Sequence, residues 1–401
     1  MNDPFAELGL RRVINAVGPA TGLGASPVHA EVMAAIAGIV DTNVEMMALQ
    51  AAASRAIAEA TGAEAGFVAA CAASGISVSC AASMTGDDLD AIERLPDTHG
   101  FARTEVVLQK GQAVDYSGNL TQMIRLSGAQ PVEIGSVNSA SLYQLKGAIG
   151  ERTAAALYVV SEQASLMGML PLEDFAACAK TAGIPVIVDA APEWDLRKFL
   201  GAGADLVIYS AHKQLGSLTG GIVAGRKDLV RAAYMQERGI GRAMKVGKEG
   251  VAGVIAALEI YSRFDTQRER TRLDAINRIA LERLPKTSGL TVFPAADATD
   301  RGFDTVRIVV DRERAGMTAA ELARALEAGD PTIKVQDYYL DRGEFDLNPT
   351  CLTAEGMAQI CDRIESVLAE RPAQVPPGLP GSSYLDSWHT AFSTWPDGFN
   401  K

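Results

Sequence analysis

The sequence predicts an α/β fold, in which a large domain built on a mostly parallel sheet precedes a small α/β domain. Short apolar strands alternate with helices between residues 119 and 189, as they do when helices cover both faces of a parallel sheet. The 401 residues exceed what one compact core usually contains. The chain is 48% hydrophobic and 21% charged, which supplies the core of an ordinary globular protein.

Composition shifts divide the chain into four segments. The expected segments are an irregular N-terminal arm (1–26, with Asn15, Thr21 and Ser26 as its polar points), a large domain (27–245), a small α/β domain (246–370) and a tail (371–401). The tail is rich in proline and glycine and holds His389 and two of the three tryptophans, Trp388 and Trp395. We expect it to pack on the body of the protein or on a partner subunit.

The first helix is expected to start at Ser26-Pro27, since serine caps helices and proline suits the first helical position. It should run to about residue 60 with a break near Asp41. A strand at 66–70 then leads through the small-residue turn 71–75 into a helix at 76–83, and the polar stretch 87–103 is expected at the surface.

The remaining elements follow from apolar periodicity and β-branched content. The expected strands are 105–109, 131–134, 154–160, 185–189, 204–209 and 221–224, and in the small domain 290–293 and 305–310. The expected helices are 119–127, 139–149, 172–182, 226–238, a long helix 251–284, 319–327 and 354–368.

Lys213 lies in a turn between two of the apolar strands, 204–209 and 221–224. Burial disfavours the charged form of an amine and lowers its pKa, which prepares it to form a Schiff base with a carbonyl compound. The alternative is an exposed loop lysine.

Asp189 ends the apolar strand 185–189 and precedes Lys213 by 24 residues. A carboxylate one βα step before a buried lysine can reach the ring nitrogen of pyridoxal 5′-phosphate (PLP) and keep it protonated, which makes the ring an electron sink. The pair Asp189 and Lys213 therefore indicates PLP chemistry.

The motifs VDAAPEWD and SAHKQLGSLTGG, with the opening RRVINAVGPATGLGAS, carry a family resemblance. They resemble the fold-type I PLP enzymes, in the branch of selenocysteine synthase and D-glucosaminate-6-phosphate ammonia-lyase, and the similarity extends to about residue 370. The resemblance implies the aminotransferase-like PLP-dependent transferase fold with a seven-stranded sheet. It also implies that Lys213 holds the cofactor and later removes the α-proton, and that Asp189 pairs with the pyridine nitrogen.

Further contacts with the cofactor follow from the same resemblance. The turn before the helix 76–83 is expected to hold the phosphate, because backbone N–H groups at a helix N-terminus bind anions, although a generic small-residue turn is the alternative. The expected cofactor residues beside Asp189 and Lys213 are Ala72, Ala73, Ser74, Gly75, Ser210, His212, Ser217 and Thr219.

The family often places a histidine or an aromatic residue against the pyridine ring about where Gln112 stands. The chain departs from the family here, and either Gln112 or another residue covers the ring. Glu162 and Gln163 close a strand at the carboxyl edge of the sheet and are expected near the substrate or cofactor, with a structural cap as the alternative.

Two further sets of cationic side chains are candidates for contacts with the substrate or with the site of a neighbouring subunit. Arg307 matches in kind the arginine with which fold-type I enzymes hold the substrate α-carboxylate, although an exposed strand arginine is the alternative. Arg242 and Lys245 resemble the segment between the domains that presents a cation to a neighbouring subunit, against the alternative of solvated charges.

The predicted function is α-proton abstraction from a small polar amino acid or amino-sugar acid, followed by elimination with release of ammonia. The alternatives are an amino-acid racemase, a selenium-transferase-like enzyme and a non-catalytic PLP-fold binding protein. A formal net charge of −12 disfavours a nucleic-acid partner. The resemblance implies a homodimer or a higher homo-oligomer.

Five scattered cysteines without a CxxC spacing predict reduced thiols and no metal site. The first residues lack a basic leader, and no apolar run reaches membrane-spanning length. We therefore expect a cytoplasmic protein.

Overall fold

A computed structural model describes residues 3–165, 167–370 and 391–396. The chain forms two compact units. The larger unit is Ser26–Phe264, and the smaller one combines the described parts of residues 1–25 and 265–401.

Twelve strands are assigned within the described ranges. They are β1 Val13–Ala16, β2 Ala65–Ala69, β3 Glu105–Gln109, β4 Gln130–Ile134, β5 Thr153–Val159, β6 Val186–Asp189, β7 Leu206–Ser210, β8 Gly221–Gly225, β9 Leu290–Ala296, β10 Asp304–Val310, β11 Thr332–Val335 and β12 Glu344–Leu347.

The principal helices of the same ranges are α1 Pro4–Glu7, α2 Ala30–Val40, α3 Met46–Thr61, α4 Ala72–Thr85, α5 Leu89–Arg94, α6 Leu120–Leu126, α7 Leu142–Ala148, α8 Leu172–Thr181, α9 Lys198–Gly201, α10 Lys227–Met235, α11 Lys248–Tyr261, α12 Thr266–Arg283, α13 Arg312–Ala315, α14 Ala319–Ala328 and α15 Ala354–Glu370. Short 3-10 turns connect several of them.

The larger unit contains a seven-stranded sheet in the order β2-β8-β7-β6-β5-β3-β4. Only β8 runs antiparallel to its neighbours, and the other pairs are parallel. The predicted mostly parallel, seven-stranded sheet is confirmed. Because both faces are covered, β6 and β7 are buried along their whole length, which explains their unbroken apolar sequences.

Alternate residues of each strand enter two different cores. Val186 and Val188 pack with side chains of α2, α3, α8 and α11, whereas Ile187 packs with side chains of α4, α6 and α10. The period of two along β6 thus places helices on both faces of the sheet.

The smaller unit has an antiparallel sheet, β12-β10-β9, and a parallel pair, β1-β11. Its core is formed by β10, β12, α12, α14 and α15. The expected irregular arm therefore contributes a strand, since Val13 to Ala16 pair in register with Thr332 to Val335.

The break expected near Asp41 is confirmed, because α2 ends at Val40 and α3 begins at Met46. The expected helix start at Ser26-Pro27 is wrong, since α2 begins at Ala30 with His29 at the capping position.

The single helix expected at 251–284 is also wrong. The chain breaks after α11, and the Asp265 carboxylate caps α12 by accepting the N–H groups of Gln267 and Arg268, both at 3.0 Å. The two compact units divide at this break rather than at 245/246, because α11 packs on α2 and α3 of the larger unit.

Most of the predicted tail lies outside the described residues. Trp395, within them, is 71% exposed. Among the described helices, none has the length and apolar character needed to cross a membrane.

Candidate active site

Lys213 lies half-buried in the turn that joins β7 to β8. The turn is closed by backbone hydrogen bonds, in which Ala211 N–H donates to Gly220 O at 2.9 Å and Lys213 N–H donates to Ser210 O at 3.3 Å. The lysine is thus presented at the end of β7, beside the carboxyl edge of the parallel strands.

The segment before α2 braces this turn. Ser26 donates its N–H to His212 O at 3.1 Å and its hydroxyl to Lys213 O. His29 N–H donates to Gly216 O at 3.0 Å. Gly216 has φ +58°, and a Cβ there would approach the His29 ring to 2.6 Å, so this position requires glycine.

Asp189 ends β6 and is paired in register with Val159 of β5 and Ile208 of β7. It is 6% exposed, and one of its carboxylate oxygens accepts Ala191 N–H at 3.1 Å. Burial raises the pKa of Asp189 to about 6, while the positive charge of Lys213 and the Ala191 hydrogen bond oppose that rise. Because β6 and β7 are neighbours, Asp189 and the turn that carries Lys213 lie at the same edge of the sheet.

The turn after β2 opens α4 with Cys71 at the capping position. Ser74 is engaged in this cap, since its N–H donates to Cys71 Sγ at 3.4 Å and its hydroxyl accepts Cys71 N–H at 3.0 Å. The N–H groups of the first helical turn have no intrahelical acceptors. Those of Ala72 and Ala73 find no acceptor among the described residues, which makes them the donors available to an anion.

Two glycines allow α4 to lie on the sheet. A Cβ on Gly75 would be 3.0 Å from Ile208 Cγ2 and 3.2 Å from Val223 Cγ2. A Cβ on Gly221 would be 2.2 Å from Cys71 O. The contacts of Gly75 are therefore packing contacts with the sheet, whereas a phosphate role for this residue stays a prediction.

The helper residues predicted around Lys213 have different environments. Neither ring nitrogen of His212 has a hydrogen-bond partner in the described parts of the chain. Burial, and then the charge of Lys213, lower the pKa of His212, so its imidazole is neutral at pH 7. Ser210 is buried at the end of β7, and Thr219 is exposed on the turn.

The Ser217 hydroxyl is buried and lies against α11, within 3.2 Å of where a Cβ of Gly253 would be. Val32 and Ile36 of α2 approach the same point, at 3.5 and 3.3 Å. Ser217 thus packs where α2 and α11 meet, and its predicted contact with the cofactor has no support from this geometry.

Gln112 is fully buried, and its side-chain oxygen accepts Val159 N–H at 3.1 Å. It therefore ties the ends of β3 and β5 together. An aromatic residue that sequence reasoning missed, Tyr116, follows in the next loop with its hydroxyl buried. Burial raises the pKa of this hydroxyl, and the negative charge of Asp189 raises it further.

Glu162 and Gln163 are half-buried in the turn after β5, and Gln163 N–H donates to Ser161 Oγ at 3.2 Å. This turn lies at the carboxyl edge of the sheet, and a role in ligand binding stays a prediction. Arg242 and Lys245 are both exposed. No group of three or more possible metal ligands occurs among the His, Cys, Asp and Glu residues that the structure describes.

Arg307, in the smaller unit, is held by carboxylates of the same unit. It donates to both oxygens of Asp346, at 2.7 and 2.8 Å, and to Glu344 at 3.4 Å. Its guanidinium also lies 4.5 Å from the centre of the Tyr339 ring. A role in holding the substrate carboxylate stays a prediction, and it would require this pairing to open.

The fold and the pair Asp189 and Lys213 define the class of the protein, a PLP-dependent enzyme of fold type I. The same fold occurs in a serine palmitoyltransferase from S. paucimobilis with bound PLP, with a TM-score of 0.57 at 16% identity over 89% of this chain and 87% of that chain. A family model described as SelA, L-seryl-tRNA selenium transferase, matches residues 13–283. The chain belongs to this family.

Two relatives are similar to this chain over nearly its whole length. D-glucosaminate-6-phosphate ammonia lyase from Salmonella typhimurium (strain 14028s / SGSC 2262) is 38% identical, with 90% of this chain and 97% of the relative covered. A 5′-C-glycyluridine monooxygenase-decarboxylase from a Streptomyces species is also 38% identical, with coverages of 91% and 92%.

A solved structure of a D-glucosaminate-6-phosphate ammonia-lyase superposes with a TM-score of 0.83 at 37% identity. It covers 93% of this chain and 100% of that chain. The resemblance to this branch, predicted from the motifs around Asp189 and Lys213, is thereby confirmed, and it supports an enzyme of the PLP-dependent lyase type.

Proposed function

We propose that this protein is a PLP-dependent lyase that removes the α-proton of a small polar amino acid or amino-sugar acid and releases ammonia by α,β-elimination. The observation that carries the proposal is the similarity in sequence and structure to D-glucosaminate-6-phosphate ammonia-lyase over more than nine-tenths of both chains in the structural comparison. The first substrate to test is accordingly D-glucosaminate 6-phosphate.

The residues of the larger unit fit PLP. Asp189 offers a buried carboxylate to a protonated ring nitrogen, and Ala72 and Ala73 offer two N–H groups to a phosphate at the start of α4. Lys213 supplies the amine that binds the aldehyde. These groups follow three different strands, β2, β6 and β7, whose carboxyl ends lie at the same edge of the sheet.

When bound, PLP supplies the electron sink that makes the α-hydrogen of an amine substrate acidic. Asp189 would keep the ring nitrogen protonated by its negative charge. With PLP bound, Lys213 would hold the cofactor through its amine, and once freed by the substrate amine its Nζ would serve as the base for the α-proton. The neutral imidazole of His212, next to Lys213, can accept or donate a hydrogen bond without adding charge to the site.

The relatives named above give no support to the racemase alternative, which predicts α-proton exchange without loss of ammonia. The SelA family description names a seryl-tRNA substrate. The net charge of −12 on this chain disfavours binding to the phosphates of a nucleic acid and supports a small-molecule substrate. The resemblance also supports a homo-oligomer, and the sequence supports a cytoplasmic protein.

The test is incubation of the purified, PLP-loaded protein with D-glucosaminate 6-phosphate and with a panel of D- and L-amino acids. We expect ammonia and a 2-oxo acid in equal amounts with one compound. Lys213→Ala should release neither, and borohydride should reduce a cofactor onto Lys213 of the unsubstituted protein, as identified by peptide mass spectrometry. Loss of optical rotation without ammonia would contradict the lyase.

A second candidate rests on the equal identity, 38%, to the 5′-C-glycyluridine monooxygenase-decarboxylase. That activity would consume O₂ and release CO₂ from the carboxyl group, whereas the proposed lyase does neither. An oxygen electrode and a CO₂ measurement during the same incubations therefore separate the two. Consumption of O₂ with a nucleoside-derived amino acid, and no ammonia with any amino-sugar acid, would favour the second candidate.

A further inference from the structure

The loop between β5 and α8 starts beside Asp189. Val160, the first residue after β5, donates its N–H to Asp189 O at 2.8 Å. In the sheet, β5 pairs with β6 on the side opposite to β7 and β2. The loop, described at 160–165 and 167–171, therefore leaves the carboxyl edge of the sheet one hydrogen bond from Asp189.

Two glutamines at the end of β3 bind the two ends of this loop. Gln112 Oε1 accepts Val159 N–H at 3.1 Å. Gln109 Oε1 accepts Leu170 N–H at 2.7 Å, and its Nε2 donates to Leu170 O at 3.4 Å. Both glutamine side chains are fully buried. Buried backbone groups require partners, and these amides supply them where no strand lies alongside.

Gly111, between the two glutamines, holds the middle of the loop. Its carbonyl accepts Ser165 N–H at 2.8 Å. A Cβ at position 111 would be 3.0 Å from Ser165 Cβ and 2.9 Å from Met169 Sδ, so both arms of the loop rest on this glycine. Residues 109–112 thus fix the loop at its start, its middle and its end.

We propose that residues 109–112 hold residues 160–165 as a rigid wall of the substrate site, with Gln109 as a positioning residue, an inference that rests on the proposed function. The groups proposed for PLP follow β2, β6 and β7, and the loop after β5 is the next one beyond Asp189 along the same edge. The Gln109 amide is bonded to Leu170 through both its oxygen and its nitrogen, so it acts on the substrate only through the loop.

The experiment measures KM at saturating PLP for D-glucosaminate 6-phosphate, or for whichever compound of the panel the enzyme converts. Methionine at position 109 has the length of glutamine but bonds neither backbone group of Leu170. Because small displacements of substrate-positioning groups have large kinetic effects, we expect KM in Gln109→Met to rise about tenfold, with PLP affinity changed by no more than about twofold.

Gln50→Met is the matched control. Gln50 is also buried, and its amide makes the same pair of bonds to a backbone, with Val68 O at 2.7 Å and Val68 N–H at 2.9 Å. It lies on α3 and holds β2, away from the loop. Both variants should unfold at lower urea concentrations, but only Gln109→Met should have a raised KM.

A second pair of variants tests the loop without touching Gln109. Gly111 does not have the left-handed backbone that favours glycine, so an added Cβ acts through its contacts with Ser165 and Met169. Gly111→Ala should therefore displace the loop and raise KM. Gly147→Ala, where an added Cβ has nothing within 4 Å, is its control and should leave KM unchanged.

A normal KM in Gln109→Met or in Gly111→Ala, once circular dichroism has verified folding, would overturn the inference and leave the proposed function intact. An equal rise of KM in Gln50→Met would also overturn it, since the effect would then follow from lower stability alone. Weaker PLP binding with a normal KM would assign the loop to the cofactor instead. Failure of the unsubstituted protein to bind PLP or to convert any compound would overturn the proposed function, and with it this inference.

Discussion

Ser26 donates its hydroxyl to the backbone carbonyl of Lys213, although 187 residues separate them in sequence. The N–H of the same serine donates to His212 O. Ser26 therefore holds two consecutive peptide units of the turn that presents the lysine. The side chain of Lys213 is not touched by these bonds, so Ser26 acts as a positioning residue.

The first prediction concerns Ser26→Ala. Loss of the hydroxyl leaves the Lys213 carbonyl without this donor, and a hydrogen bond of this kind contributes about 1 kcal/mol. We expect an approximately fivefold weaker equilibrium for Schiff-base formation with PLP, read from the visible absorbance during titration.

Ser26→Thr retains a hydroxyl and should restore the equilibrium. Ser136→Ala, at an exposed position, is the matched control. A variant Ser26→Ala that unfolds at a lower temperature but forms the Schiff base as well as the unsubstituted protein would show that Ser26 is merely structural.

The second prediction follows from the buried carboxyl group of Asp189, whose pKa is raised from 3.8 to about 6 by burial. A carboxyl group whose pKa is higher in the folded state than in the unfolded state stabilises the fold fully only at pH values below its unfolded-state pKa. This stabilisation is lost as the pH rises through about 6. One pKa unit corresponds to about 1.4 kcal/mol, so the cofactor-free protein should lose up to about 3 kcal/mol between pH 4 and pH 7 relative to Asp189→Asn.

The measurement is the free energy of unfolding by urea at several pH values, for both proteins. Their difference removes the contributions of all other titrating groups. Saturating PLP should abolish this pH dependence, because a protonated ring nitrogen beside Asp189 stabilises the carboxylate. If the free energy of unfolding depended on pH in the same way in the cofactor-free unsubstituted protein and in cofactor-free Asp189→Asn, the prediction would be refuted.

Much of the larger unit could be predicted, because its elements follow local rules. The strands of the sheet are unbroken apolar stretches, and Asp189 and Lys213 stand at strand ends, where parallel sheets bind ligands. The helix break near Asp41 was also predictable from the local sequence. Errors at the ends of elements amounted to one or two residues for most strands.

The rest depends on contacts between residues far apart in sequence. Ser26 satisfies the rules for a helix cap, yet it bonds the Lys213 turn, and no local pattern shows this. The strand β1 forms only because β11 lies alongside it. Tyr116 carried a signal, an aromatic residue four positions after Gln112, but only its buried hydroxyl distinguishes it from an ordinary core tyrosine.

Arg307 illustrates the same limit and leads to the third prediction. The sequence predicted the strand that contains Arg307 but not the partner of its side chain, because Asp346 lies opposite it on β12 only after the sheet has formed. The Arg307 side chain is 23% exposed and that of Asp346 is 8% exposed, so the pair is largely removed from water. Both oxygens of the carboxylate are engaged, which is the strong geometry for such a pair.

We expect Arg307→Met and Asp346→Asn each to lower the free energy of unfolding by about 2 kcal/mol, because each leaves its former partner partly buried and unpaired. Urea unfolding measures this loss. If the pair is structural, the KM for the amino-acid substrate should change by the same small factor in both variants. A large rise in KM in Arg307→Met with a normal KM in Asp346→Asn would show instead that Arg307 leaves the pair to hold the substrate carboxylate.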